Sequence, residues 1–125
     1  MDFKINLPVL KDMEMNPNKK QRLNRILYDY GQANGTLLVL PIDQGLEHGP
    51  MDFFANPPSK NPEFQLQLAI QGEYSAIACH IGIAEKYWKK YKQDIPLILK
   101  VNGKTDIPGD AQAFSPLTST VMDAV

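Results

Sequence analysis

Three short, largely apolar runs recur along the chain, at residues 36–42, 75–80 and 96–101. Their apolar positions are continuous rather than alternating, which is typical of strands covered on both faces in a parallel sheet. Segments of helical periodicity separate the runs, and parallel strands joined by helices define the α/β class. We therefore predict three parallel strands in the spatial order one, two, three, with helices on one side of the sheet.

The segment before the first strand predicts one amphipathic helix. Asn16-Pro17 is typical of an N-cap followed by proline at the first helical position, and Gly31 is typical of a helix end. The apolar positions between them follow the i, i+3, i+4, i+7 spacing of a helix face: Leu23, Ile26, Leu27 and Tyr30. We interpret residues 1–35 as an N-terminal extension that carries this helix.

Further helices are predicted between and after the strands. One begins at Asn61-Pro62 and ends near Gly72, and the next begins at Gly82. A loop over residues 102–117 follows the third strand, and residues 117–125 resemble the first turns of a last helix. The predicted elements therefore alternate between helix and strand along the whole chain.

Composition and charge narrow the class of protein. The 125 residues fit one domain, and 43% hydrophobic with 22% charged residues is typical of a soluble globular protein. A net charge of −1 argues against nucleic acid as a partner, and no apolar run approaches the roughly 18 residues that cross a membrane. The single cysteine, Cys79, excludes an internal disulfide, and no signal peptide is recognisable at the N-terminus. We expect a cytoplasmic protein.

The end of the chain bears on the predicted architecture. Val125 lies inside a predicted helix, and three parallel strands leave two sheet edges unpaired. A closed (β/α)₈ barrel needs eight strands and about 250 residues. We therefore expect the N-terminal portion of a larger α/β protein, with residues 36–125 forming the first three β/α units of an incomplete TIM barrel.

Polar side chains follow each predicted strand where it ends. Asp43 follows the first strand, Cys79 and His80 close the second, and Lys100 and Asn102 close the third. Ligands bind at the carboxyl ends of the strands in barrels and in open α/β sheets. An acid and an amine that converge there suit carbonyl chemistry, in which the acid holds or moves protons.

Each of these residues also has a structural interpretation. Asp43 alone fits the capping of a turn equally well, Cys79 fits a small buried hydrophobe, and His80 fits a structural residue at a strand end. The pair Glu47-His48 fits a solvated loop, and adjacent side chains diverge, so we expect no metal there. Lys100 is the hardest to explain structurally, because burying an unpaired ammonium is costly.

Four stretches resemble the class I fructose-bisphosphate aldolases of the archaeal type, the DhnA-like group: PIDQGLEHGPMDFFANP, NPEFQLQLA, GIAEKYW and PLILKVNGKT. The resemblance runs from about Thr36 to Val125. It implies a (β/α)₈ barrel that cleaves fructose 1,6-bisphosphate to dihydroxyacetone phosphate and glyceraldehyde 3-phosphate through a lysine Schiff base, in glycolysis and gluconeogenesis. It also implies no cofactor, no metal, a small-molecule sugar phosphate as partner and a homo-oligomeric full-length protein.

The resemblance assigns roles to three residues of this chain. Asp43 matches the catalytic aspartate after strand one, and His48 matches a loop histidine that contacts substrate. Lys100 matches the lysine of the third strand, which we assign to substrate binding. Gln44 departs from the histidine common in archaeal relatives. The family's Schiff-base lysine lies on a late strand that this chain lacks, so we expect the chain alone to be inactive.

Two alternatives remain open at this stage. Relatives in the DhnA-like group transfer acyl groups or form an amino-ketoheptulosonate for aromatic synthesis, on the same fold. A non-catalytic half-barrel that assembles with another chain is the second alternative. The loop sequence DQGLEHGP favours the aldolases over the first.

Overall fold

The computed structural model describes residues 6–43, 45–105 and 114–125. The strands and α-helices, in chain order, are α1 Pro17–Asn24, β1 Val39–Pro41, α2 Pro62–Gln71, β2 Ala76–Cys79, α3 Ile81–Tyr91 and β3 Leu97–Leu99. A π-helix follows α1 directly, and short 3₁₀ turns occur at Leu10–Asp12, Gly49–Phe53, Pro57–Lys60 and Val121–Ala124.

The three strands form one parallel sheet in the order β1-β2-β3, which confirms the predicted topology. Regular strand geometry covers only three or four residues of each apolar run. Single hydrogen bonds continue the pairing beyond the strands: Ser75 N donates to Leu38 O at 2.8 Å, and Lys100 N donates to Cys79 O at 2.9 Å. The regular strands are therefore shorter than predicted, but the hydrogen-bonded segments are nearly as long as the predicted strands.

The hydrophobic core lies between the sheet and helices α2 and α3. Leu40, Ile77 and Leu97 are neighbours in register and share the face that α2 and α3 cover. The buried core cluster consists of Ile42, Leu66, Ala69, Ile77, Tyr91 and Ile95. Burying a leucine or isoleucine side chain contributes about 1.5 to 3 kcal/mol, so Ile42, Leu66, Ile77 and Ile95 account for much of what holds the sheet to the helices.

Asparagine caps set the starts of two helices where the sequence predicts them. The Asn16 side chain accepts a hydrogen bond from Asn18 N at 2.8 Å, and the Asn61 side chain accepts one from Glu63 N at 3.1 Å. Each satisfies a backbone N–H that the first turn of a helix leaves without an internal partner. Helix α1 is shorter than predicted, because the chain continues as the π-helix Arg25–Asp29.

The predicted helix at residues 117–125 is wrong for most of its length. Leu117 pairs antiparallel with Asn102, and only the 3₁₀ turn Val121–Ala124 is helical. Val121 and Met122 are 73% and 79% exposed, so no packed apolar face stabilises a longer helix. Residues 106–113 of the predicted loop, Gln44 and residues 1–5 lie outside the described residues. In the part of the chain that is described, no helix is long and apolar enough to cross a membrane.

Candidate active site

The register of the sheet brings three polar side chains to one edge and one face. Asp43 lies two residues beyond Pro41, His80 lies two beyond Ala78, and Lys100 lies two beyond Ile98, and those three strand residues are register partners. Successive side chains alternate between the faces of a sheet, so all three polar residues point away from α2 and α3.

Asp43, His80 and Lys100 are in direct contact, and we call them the Asp43 cluster. Lys100 Nζ donates a hydrogen bond to Asp43 Oδ2, and His80 Nε2 lies 2.9 Å from Asp43 Oδ1. The three side chains are partly shielded, with exposed fractions of 32% for Asp43, 15% for His80 and 24% for Lys100. The sequence-based expectation that Asp43 and Lys100 converge is confirmed.

The electrostatics of the cluster keep Asp43 ionised. Partial burial acts to raise the pKa of the Asp43 carboxyl, but the hydrogen bonds and charges of Lys100 and His80 outweigh it. The net result is a pKa below the ordinary value of an aspartate. At neutral pH the carboxylate is therefore a hydrogen-bond acceptor only.

Backbone folded against the end of β3 supports the cluster. Thr118 N donates to Val101 O at 2.9 Å, Gly103 N donates to Pro116 O at 3.1 Å, and Ser119 Oγ donates to Lys100 O at 3.2 Å. Thr118 Oγ1 also lies 3.3 Å from His80 Nδ1. Residues 116–119 thus lie against the end of β3, and Thr118 contacts the cluster directly.

His48 lies in the loop after β1, at the start of a 3₁₀ turn. Its Nδ1 is 3.1 Å from Asp52 Oδ1, and its side chain is 50% exposed. Its Nε2 is 3.9 Å from Glu47 Oε1, so the two adjacent side chains contact each other despite the expected divergence. The predicted role of His48 in substrate contact stays a prediction, and half of its surface is open to a ligand.

Cys79 and Asn102, the other strand-end candidates, take no part in the cluster. Cys79 is fully buried, and this burial raises the pKa of its thiol to about 11, although the charge of Lys100 acts to lower it. A thiol with that pKa is a small hydrophobe, as interpreted from the sequence. Asn102 Nδ2 donates to Ser115 Oγ at 3.1 Å and joins two backbone segments.

His80 is the site residue that sequence reasoning assigned to a structural role. The signal in the sequence was its place, because His80 closes the second apolar run much as Asp43 follows the first. What the sequence could not supply was the register, which places the imidazole beside the carboxylate rather than one residue away.

The cluster suits proton handling and anion binding rather than metal chemistry. A carboxylate, an ammonium group and an imidazole together can accept hydrogen bonds from hydroxyls, hold a negative group and move a proton. Among the residues that the structure describes, no three histidine, cysteine or acidic side chains lie close enough to hold a metal ion.

Comparisons with known proteins agree with this geometry. Residues 37–124 match the family model described as DeoC/LacD family aldolase. Over 73 residues the chain is 47% identical to the fructose-bisphosphate aldolase class 1 of Thermoproteus tenax, which covers 58% of this chain and 27% of that protein. The corresponding Halobacterium salinarum enzyme is 43% identical over 74 residues, or 59% of this chain and 28% of that protein. The chain thus spans little more than a quarter of these curated relatives.

A solved structure of a Schiff base-forming fructose-1,6-bisphosphate aldolase shares the fold. It superposes with a TM-score of 0.66 at 36% identity and covers 82% of this chain and 39% of that one. The three parallel strands and their helices therefore match part of a TIM-barrel aldolase, as predicted. The sequence resemblance to archaeal-type class I aldolases is confirmed by the same matches. The chain belongs to the DeoC/LacD aldolase family.

Proposed function

We propose that this chain supplies the first three β/α units of a class I fructose-bisphosphate aldolase. The reaction is the cleavage of fructose 1,6-bisphosphate to dihydroxyacetone phosphate and glyceraldehyde 3-phosphate, in glycolysis and gluconeogenesis. The observation that carries the proposal is the Asp43 cluster, which places an ionised acid and an ammonium group at the carboxyl end of a parallel sheet. The full-length protein is proposed to be cytoplasmic and homo-oligomeric.

Asp43 is the proposed catalytic residue of this part of the barrel. Cleavage of the bond between carbons 3 and 4 requires the loss of a proton from the hydroxyl of carbon 4, while the electron pair moves toward a protonated Schiff base. An ionised carboxylate accepts hydrogen bonds from sugar hydroxyls and stabilises the nearby positive charge. The pKa of Asp43 lies below the ordinary value of an aspartate, so this carboxylate is ionised at neutral pH.

Lys100 is the proposed binding residue for an anionic group of the substrate. Its ammonium group donates to Asp43 Oδ2, and an ammonium group has no free electron pair with which to attack a carbonyl carbon. This contact supports a binding role rather than a Schiff-base role. His48 is the second proposed binding residue, because its half-exposed ring lies on the loop that follows β1.

The test is a grafted enzyme, in which the matched segment of this chain replaces its counterpart in the Thermoproteus tenax relative. We expect the grafted enzyme to cleave fructose 1,6-bisphosphate, measured by coupling triose phosphate release to a dehydrogenase. The matched control is the graft carrying Asp94→Asn, since Asp94 is exposed in the turn before β3, at the opposite end of the sheet.

A folded graft that leaves fructose 1,6-bisphosphate intact would contradict the proposal. Formation of an acyl-transfer product or of an amino-ketoheptulosonate by the same graft would favour the other chemistries of the DhnA-like group. Circular dichroism and size-exclusion chromatography establish that the graft is folded before either result is interpreted.

A further inference from the structure

Contacts at three points hold the His80 ring. Its Nε2 contacts Asp43 Oδ1 at 2.9 Å, and its Nδ1 contacts Thr118 Oγ1 at 3.3 Å. Gly103 lies against the ring, since a Cβ added there would be 2.8 Å from His80 Cε1. The ring therefore has polar partners on both nitrogens and backbone against its edge.

The contact with Asp43 shows which ring nitrogen donates. Asp43 is ionised and accepts only, so His80 Nε2 carries a proton and donates it to Oδ1. The other ring nitrogen, Nδ1, lies 3.3 Å from Thr118 Oγ1, a hydroxyl that can either donate or accept. Hydrogen bonds thus link Thr118, His80 and Asp43 in one chain.

Each carboxylate oxygen of Asp43 therefore accepts a hydrogen bond from a different side chain. His80 occupies Oδ1 and Lys100 occupies Oδ2, so rotation of the carboxylate would break one of the two bonds. A carboxylate offers about four acceptor positions, and roughly two of them remain for substrate hydroxyls. The direction of those two is set by the donors that occupy the others.

We propose that His80 is the positioning residue of the active site, and that it orients Asp43 by donating from Nε2 while Thr118 and Gly103 orient the ring. Its effect on reaction rate rests on the proposed aldolase function. Its effect on the charge and orientation of Asp43 does not, so the two ideas can fail separately.

Two isosteric replacements separate positioning from packing. His80→Gln keeps an N–H donor near the position of Nε2, whereas His80→Met fills a similar volume and donates nothing. On the 125-residue chain, ¹³C-detected NMR follows the titration of the Asp43 carboxyl group. We expect the midpoint to stay below the ordinary aspartate value in wild type and in His80→Gln, and to rise in His80→Met, because a donor to the ionised form is lost.

Equal Asp43 midpoints in the wild-type chain, the Gln variant and the Met variant would overturn the proposal. That result would mean that the imidazole donates nothing that stabilises the ionised carboxylate. The measurement needs no substrate, so it stands whatever reaction the whole protein catalyses.

The kinetic consequence is measured in the grafted enzyme. His80→Met should lower kcat by about 10- to 100-fold with little change in KM, the size of one charge-assisted hydrogen bond, and His80→Gln should recover most of that loss. Gly103→Ala keeps every polar group but pushes on the ring, so it should lower kcat in the same way. Equal kcat for the Gln and Met variants would contradict a positioning role.

Discussion

At the scale of single residues, the charge of Asp43 decides what the site can do. Burial acts to raise the pKa of its carboxyl, but two donors outweigh burial and lower the pKa below the ordinary value, so the carboxylate is ionised at neutral pH. The lowered pKa also makes stability depend on pH. It stabilises the folded chain at pH values above the pKa of the unfolded aspartate, and this contribution is lost as pH falls through the pKa of the folded state. The same contacts therefore favour both folding and an acceptor-only acid.

Replacing Asp43 by Asn in the grafted enzyme keeps the shape and removes the charge. We expect turnover to fall by about 10² to 10⁴, because a positioned proton-handling group typically contributes that much. The measurement is kcat for fructose 1,6-bisphosphate, with Asp94→Asn as the control that changes an exposed aspartate elsewhere. Unchanged turnover in Asp43→Asn would remove Asp43 from the catalytic residues.

His48 should act in binding rather than in chemistry. It is half exposed and bonded to Asp52. We propose that it makes a substrate contact that the transition state shares, so its loss should weaken both to the same extent. In the grafted enzyme, His48→Ala is expected to raise KM more than it lowers kcat. The reverse pattern, with kcat reduced at constant KM, would indicate a proton-transfer role.

Cys79 should be inert in the folded chain. Burial raises the pKa of its thiol from the ordinary 9.0 to about 11, so the nucleophilic thiolate is scarce at neutral pH. Ellman's reagent at pH 8 should label the chain only after urea is added. Because the pKa is raised in the folded state, the thiol contributes stability below pH 9, and this contribution is lost as pH rises through about 11. The urea midpoint of the wild-type chain should therefore fall between pH 9 and about 11, and it should fall less in Cys79→Ala. Rapid labelling without urea would contradict this assignment.

At the scale of elements, continuous apolar runs predicted the strands, the alternation of helix and strand predicted their parallel order, and the two Asn-Pro pairs predicted the helix caps. These features depend on short stretches of sequence, and the tertiary structure keeps the local structure that those stretches favour. The helix predicted at residues 117–125 failed because its apolar side chains find no packing partner among the described residues. The contact of His80 with Asp43 depends on the register between β1 and β2. That register arises when the two strands pair, so the sequence of either strand alone does not predict it.

The N-terminal cap of α2 should contribute measurably to the stability of the chain. Asn61 accepts from Glu63 N at the start of the helix that covers β2, and Ala cannot replace that acceptor. Asn61→Ala should lower the free energy of unfolding of the 125-residue chain by about 1 kcal/mol, while Asn61→Asp should be close to wild type. Urea denaturation measures both, and equal destabilisation by Ala and Asp would show that the cap contributes nothing.

At the scale of the whole molecule, the sheet is open among the described residues. Strands β1 and β3 each pair with β2 alone, and Ile98, on the face opposite the helices, is 37% exposed. Large apolar side chains near the end of the chain are more exposed still, with Phe114 at 72% and Leu117 at 77%. Exposed apolar surface of this kind marks interaction sites, and it fits a chain that spans 39% of the aldolase whose fold it shares.

The open sheet also bears on the chemistry of Lys100. A class I aldolase needs a neutral amine in a dry site, and the Lys100 ammonium group is instead bound to the Asp43 carboxylate beside an open sheet face. We expect the 125-residue chain to show no aldolase activity and to form no Schiff base with dihydroxyacetone phosphate. Incubation with that substrate and borohydride, followed by intact mass, tests this, with the Thermoproteus tenax relative as the positive control. A stoichiometric adduct mapped to Lys100 would reverse the assignment and make Lys100 the nucleophile.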